Sequence, residues 1–249
     1  MADPALIVGS LISPYVRKVL ACCEIKRVAY RVDPLVPFYG NERFEALSPL
    51  RRIPVFRDDR TTIADSSVIC QYLEDRYPEP RLYPAEPAAA ARTRWFEEYA
   101  DTRMGDVFVW RLFNEAVIAP SVWGKPRDLE SIARTLEHEV PEVLRYLERQ
   151  LPSDGFVLGE LSIADISIAA FLRNAIWARF EVDARLWPRT AGLVQRVFAL
   201  PAFRRLMPYE DIMVRTPPAR QRAVLAEAGF PVTDEGLAAD TPRRGPMSV

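Results

Sequence analysis

The apolar and polar positions of this chain follow two rhythms, and the change falls near residue 80. Before it, short apolar runs alternate between strand and helix lengths. Residues 6–10 (LIVGS) make a strand-length apolar run, and residues 16–26 (VRKVLACCEIK) place Val16, Val19, Leu20 and Cys23 on one helical face. Residues 28–35 alternate like a second strand; Pro34, Pro37, Gly40 and Asn41 then punctuate an irregular stretch, and residues 42–47 suit a short helix. Residues 54–57 and 61–64 flank Asp58-Asp59-Arg60 as a hairpin, and residues 67–76 (SVICQYLEDR) carry helical spacing at Val68, Tyr72 and Leu73. The predicted order is β-α-β-(α)-β-β-α.

Pro78, Pro80, Pro84 and Pro87 cluster at the change of rhythm, where a residue without an N–H neither continues a helix nor sits inside a sheet. Beyond them the pattern is helical. Phe96, Ala100, Met104, Phe108, Leu112 and Ala116 recur every fourth residue, and Leu129, Ile132, Leu136, Val140, Val143, Leu147 and Leu151 form a second stripe, which Pro141 should kink or split. Shorter helices are expected from Ser162, near Thr190 and from Pro201. From about Tyr209, Pro217, Pro218, Pro231, Pro242 and Pro246 accompany weak periodicity. That segment reads as draped over the surface or partly disordered, with a helix available at 219–228. The chain thus divides into an α/β domain over 1–84, an all-helical domain over 85–208 and an extension over 209–249.

Composition narrows the classes. At 249 residues and 49% hydrophobic, the chain has enough apolar surface for a sizeable core. Its 33 Lys+Arg against 34 Asp+Glu give neither half the basic excess of a nucleic-acid binder. The single histidine, His138, excludes multi-His metal sites and weakens any Ser-His-Asp scheme; it reads as a solvated helix residue. Cys22, Cys23 and Cys70 lack metal spacing and read as packing residues. No signal peptide or membrane-length apolar run is seen, so a cytoplasmic location without membrane contact is expected.

The sharpest chemical signal is Ser13-Pro14-Tyr15-Val16-Arg17, directly after the first strand. A serine cap and a proline at the first helical position make a good helix start. The same geometry puts a hydroxyl at the positive end of a helix, where a ligand thiolate would have a lowered pKa. Ser10-Leu11-Ile12-Ser13 contains no cysteine, which disfavours dithiol exchange. Pro54 opens a strand, and Asp65-Ser66-Ser67 opens the next helix with donors for a carboxylate and an aspartate for an ammonium. Three such starts in one small domain suit an amino-acid-like or peptide-like thiol. Ser162-Ile163-Ala164-Asp165 reads as a structural capping box.

Together, Ser13-Pro14-Tyr15-Val16-Arg17, Ser48-Pro49-Leu50-Arg51-Arg52-Ile53-Pro54-Val55, Asp65-Ser66-Ser67-Val68-Ile69 with Tyr72-Leu73, and Gly159 followed by Ser162-Ile163-Ala164-Asp165 resemble the cytosolic glutathione transferase superfamily, in a serine-type, bacterial-like form. The resemblance implies an α/β thioredoxin-like N-terminal domain plus an all-α C-terminal helical bundle. It implies a catalytic Ser13 that stabilises the glutathione thiolate. Ile53 would precede a cis-proline, Pro54, and pair its backbone with the cysteinyl unit; Asp65 and Ser66 would hold the γ-glutamyl end; Arg52 would face the glycyl carboxylate in place of the usual lysine. The usual glycine before that lysine is Arg51 here. Tyr15, Phe108 and Arg111 are the implied candidates for lining an electrophile pocket. Glutathione as co-substrate, a hydrophobic electrophile, a homodimer, and no metal, nucleic acid or membrane partner complete the expectation, with conjugation as the leading reaction. A glutathione-dependent lyase, isomerase or dehalogenase, or a non-catalytic binding protein, stands as the alternative.

Overall fold

The computed structural model describes residues 3–245. The chain folds as two compact units: one runs to Pro80 and resumes at Arg204, and the other spans Arg81–Phe203.

In the first unit, β1 (Ala5–Val8), α1 (Pro14–Lys26), β2 (Tyr30–Asp33), a 3-10 turn (Pro37–Tyr39), α2 (Glu42–Leu47), β3 (Val55–Arg57), β4 (Thr62–Ala64) and α3 (Ser66–Arg76) follow the predicted order. The sheet runs β2-β1-β3-β4; β1 pairs parallel with β2 and antiparallel with β3, and β3 pairs antiparallel with β4. Side chains alternate across it. Val8 and Val55 pack with Leu35, Phe44 of α2 and Leu237, while Ile7 and Phe56, buried and alternating to the opposite face, point away from that cluster. α3 buries Ile69, Cys70 and Leu73, but Val68 is 52% exposed, so its buried stripe is offset from the predicted one.

The second unit is helical: α4 (Pro87–Tyr99) continues through a π-helical stretch (Ala100–Ile118) into α5 (Ala119–Trp123), followed by α6 (Leu129–Arg134), a π-turn (Thr135–Glu139), α7 (Val140–Gln150), α8 (Ile163–Trp177) and α9 (Pro188–Phe198). Apolar residues spaced by four drift about 40° per step around a 3.6-residue helix. Wider turns reduce that drift, and Phe96, Ala100, Met104, Phe108, Leu112 and Ala116 are all buried along it. Pro141 is accommodated in a continuous helical run from 129 to 150. It stands in the first turn of α7, and the wide turn before it accommodates the missing N–H. Leu129, at the head of the second stripe, is 71% exposed. α8 is buried on nearly every face and is the axis of this unit.

α10 (Pro201–Val214) leaves the second unit and α11 (Pro218–Glu227) lies wholly in the first. The segment beyond residue 208 is therefore built into the α/β unit as far as it is described. Glu210 pairs with Arg17 at 2.6 Å, with both side chains buried. Val32 N–H donates to Pro231 O at 2.8 Å and Thr233 N–H to Val32 O at 3.0 Å, so the extension covers the outer edge of β2. Leu237 enters the core cluster, and its N–H donates to the buried Asp33 carboxylate at 2.8 Å; Arg222 pairs with the other oxygen of Asp33. Among the described residues no helix is long and apolar enough to cross a membrane.

Candidate functional site

Strand register decides which loops meet. Antiparallel pairing sets the end of β1, Val8, beside the start of β3, Val55, and the end of β4, Ala64, beside the same Val55. The segments that leave these ends, 9–13, 53–54 and 65–66, therefore emerge at one edge of the sheet. Gly9 marks how tightly they converge. Its φ is +153°, and a Cβ there would lie 2.5 Å from Val16 Cγ2 and 3.1 Å from Ile53 Cβ. Lys18, fully buried on α1, donates from Nζ to Ser67 Oγ at 3.1 Å and ties the starts of α1 and α3 together.

Ser13 caps α1, with Pro14 behind it as the first helical residue. Its Oγ accepts from Val16 N–H at a long 3.5 Å. A hydroxyl has one donor and two acceptor sites, so this bond leaves the O–H to donate elsewhere. The Ile53–Pro54 bond is cis. Pro54 has no N–H, the β1–β3 ladder ends at Val8–Val55, and the Ile53 peptide groups pair with no other backbone group among the described residues. Asp65 caps α3 with φ +87°; its Oδ1 accepts from Ser67 N–H at 3.0 Å and Val68 N–H at 3.3 Å, which offsets the backbone cost. Ser66 is buried as the first residue of that helix, while Asp65 is exposed. Arg52 is held by its backbone, N–H to Ser48 Oγ at 3.0 Å and C=O from the same hydroxyl at 2.8 Å. Its exposed guanidinium forms no ion pair among the described residues.

Six of the positions singled out in the sequence, Ser13, Arg52, Ile53, Pro54, Asp65 and Ser66, thus lie in the α/β unit on loops leaving one sheet edge. The other three are scattered. Tyr15 is half-buried on α1. Phe108 has no exposed surface in the core of the helical unit. Arg111 is a surface residue bound to Asp106 and Glu139, each at 3.1 Å. The cysteines are buried: Cys22 Sγ lies 3.6 Å from Cys70 Sγ, and desolvation pushes the Cys23 thiol up. None has the electropositive, partly exposed setting of a reactive thiol.

Sequence reasoning passed over Lys18 and Ser10. Ser10 Oγ is buried with no hydrogen-bond partner among the described residues, at the head of the Ser13 loop. Lys18 lies roughly 200° round α1 from Val16, on the face opposite the apolar stripe, so the pattern of the helix gave no signal for its burial.

Residues 7–81 match the family model for the glutathione S-transferase N-terminal domain, and residues 116–205 that for the C-terminal domain. The chain is 30% identical over 166 residues to the maleylacetoacetate isomerase of Pseudomonas aeruginosa, covering 66% of this chain and 74% of that protein. It belongs to the glutathione S-transferase family. Human glutathione S-transferase theta-1 is 28% identical over 172 residues, with 68% of this chain and 70% of that protein covered. Among solved structures, a glutathione S-transferase from Rhodospirillum rubrum superposes with a TM-score of 0.75 at 27% identity, over 87% of this chain and 97% of the other. The thioredoxin-like unit followed by a helical unit is the architecture of this family.

Proposed function

We propose that the protein is a glutathione transferase that holds the glutathione thiolate at Ser13 and adds it to a hydrophobic electrophile. The observation that carries this reading is the meeting of the Ser13-capped helix start, the Ile53 peptide and the Asp65-capped helix start at one sheet edge. In it, the cysteinyl backbone pairs with Ile53 beside Pro54. The γ-glutamyl ammonium and carboxylate meet Asp65 and the Ser66 end of α3, and the glycyl carboxylate meets Arg52. The thiol proton leaves to solvent. The thiolate that remains is stabilised by the Ser13 O–H and the positive end of α1, and its sulfur forms the new bond to the electrophilic carbon as the carbon–halogen bond of an aryl halide breaks and halide leaves to solvent. Ser13 is a donor here, and no protein base is required.

A second reading is favoured by the names of relatives: maleylacetoacetate isomerases of Pseudomonas aeruginosa and rat match this chain. There the thiolate adds to a conjugated double bond, the carbon–carbon bond rotates, and the thiolate is expelled, so glutathione is not consumed. The reading further takes the protein as a cytoplasmic homodimer without a bound metal. Exposed Val68 on α3 and Trp95 on α4 are apolar side chains that pairing would cover.

Retention on immobilised glutathione, followed by a panel of aryl halides and cis-configured unsaturated diacids, tests both readings. Loss of free thiol identifies conjugation, whereas isomerisation at constant thiol identifies the second. Ser13→Ala should lower turnover about 10²-fold, the scale of one lost transition-state donor, with smaller loss of glutathione affinity. Equal turnover removes Ser13 from the mechanism.

A further inference from the structure

The loop that carries Arg52 and Ile53 is preceded by Arg51, whose φ is +53°. A non-glycine residue rarely adopts that conformation, and it persists only where surrounding contacts hold it. The Arg51 side chain provides those contacts. It is 7% exposed, pairs with Glu45 Oε1, and donates to Gly40 O at 3.1 Å and Phe38 O at 3.5 Å. Its backbone N–H donates to Ser48 O at 2.8 Å.

Those acceptors are shared with the C-terminal extension. Arg243 N–H donates to Phe38 O at 2.8 Å, and its guanidinium reaches Glu45 Oε1 at 2.8 Å. Between these contacts and the Leu237 anchor, Asn41 N–H donates to Leu237 O at 2.9 Å, Ala239 N–H donates to Tyr39 O, and Gly40 and Ala238 form an antiparallel bridge. The segment 38–45 is thus held both by the extension and by Arg51, through the same carbonyl and the same carboxylate.

We infer that Arg51 and Arg243 are positioning residues: the extension clamps residues 38–45, and through Arg51 the clamp fixes the Arg52–Ile53 loop for glutathione. This rests on the glutathione reading given above. In that reading neither arginine is assigned a contact with the ligand.

The test uses the full chain and three variants, Arg243→Ala, Arg243→Lys and Arg51→Gly. The last suits the left-handed φ but has no side chain to clamp. Glutathione affinity is measured by calorimetry, amide exchange across residues 38–53 by mass spectrometry, and KM for glutathione apart from kcat. Arg243→Ala should speed exchange across 38–53 and weaken glutathione by roughly tenfold, the scale of a lost charge-assisted hydrogen bond. KM should rise in step with kcat retained, and Arg243→Lys should recover part of the affinity. Arg51→Gly should do the same by removing the other guanidinium from those shared acceptors. Unchanged exchange in Arg243→Ala overturns the clamp. Faster exchange with unchanged affinity overturns its positioning role. Absence of glutathione binding by the unmodified protein overturns the functional reading and with it the ligand half of the inference, while the exchange arm still judges the clamp.

Discussion

Replacing Asp165 by alanine probes a polar network at the start of the most buried helix. Asp165 is fully buried. Its Oδ1 accepts from Val157 N–H at 2.7 Å, and its Oδ2 accepts from Ser162 N–H and Ser162 Oγ, both at 2.8 Å. Ser162 and Asp165 form a reciprocal capping box at α8. An exposed cap of this kind contributes about 1 kcal/mol. Here alanine would strand two buried backbone donors as well, at about 1–3 kcal/mol each. A loss of about 3–5 kcal/mol follows, since water entry recovers part of the cost. At about 2–4 °C per kcal/mol for a chain of this size, Tm should fall by roughly 6–20 °C. Asp165→Asn keeps one acceptor for Val157 and should fall between Asp165→Ala and the unmodified protein. Thermal unfolding followed by far-ultraviolet circular dichroism checks the loss, and glutathione affinity measured below the transition should stay close to that of the unmodified protein. A Tm within two degrees of the unmodified protein, on the order of 1 kcal/mol, would refute the reasoning that the carboxylate is the sole partner of those donors.

Two further outcomes follow from the first unit. Glu210→Ala leaves Arg17 buried without its carboxylate and should cost about 3–5 kcal/mol in denaturant unfolding; Arg205→Ala, which breaks a pair with Glu24 on an exposed side chain, should cost under about 1 kcal/mol. Comparable losses would contradict the distinction. Glu45 is held below the usual glutamate range, first by its hydrogen bond from Arg51 and also by Arg243. A depressed folded-state pKa stabilises above the unfolded value and is lost as pH falls through the folded one. Exchange across residues 38–53 should therefore stay slow through the ordinary glutamate range and rise only below it; a rise beginning above that range would contradict the assignment.

The βαβ start, the hairpin and the Pro54 and Asp65 loops were legible because their determinants are local. Leu6 and Val8 alternate within four residues, Pro14 follows its cap directly, and Asp65 bonds to N–H groups two and three residues on. The extension was not legible for the opposite reason. Its partner Asp33 lies 189 residues from Arg222 and 204 from Leu237, and a single leucine among prolines and glycines has no period to detect. Pro231 there meets the edge of β2 through its carbonyl, which accepts from Val32 N–H and needs no N–H of its own. Arg51 was read as a departure from a glycine, and only the structure gives the side chain its work. The offset in α3 arose because a short amphipathic segment offers Val68 and Ile69 as equally apolar neighbours, and packing against α1 and the sheet selects Ile69. Phe108, named as a pocket candidate by the resemblance, also belongs to the four-residue stripe, and that stripe lies in the core of the helical unit.

In the reading proposed above, Ser13 and the start of α1 stabilise a thiolate. That claim is tested most directly by titrating the thiol of bound glutathione, through its ultraviolet thiolate absorbance, in the unmodified protein and in Ser13→Ala. The account predicts a midpoint below that of a free cysteine thiol, about 8.5, in the unmodified protein, and a shift back towards the free value in the variant. A bound thiol that titrates at the free value, or identically in both proteins, would contradict it.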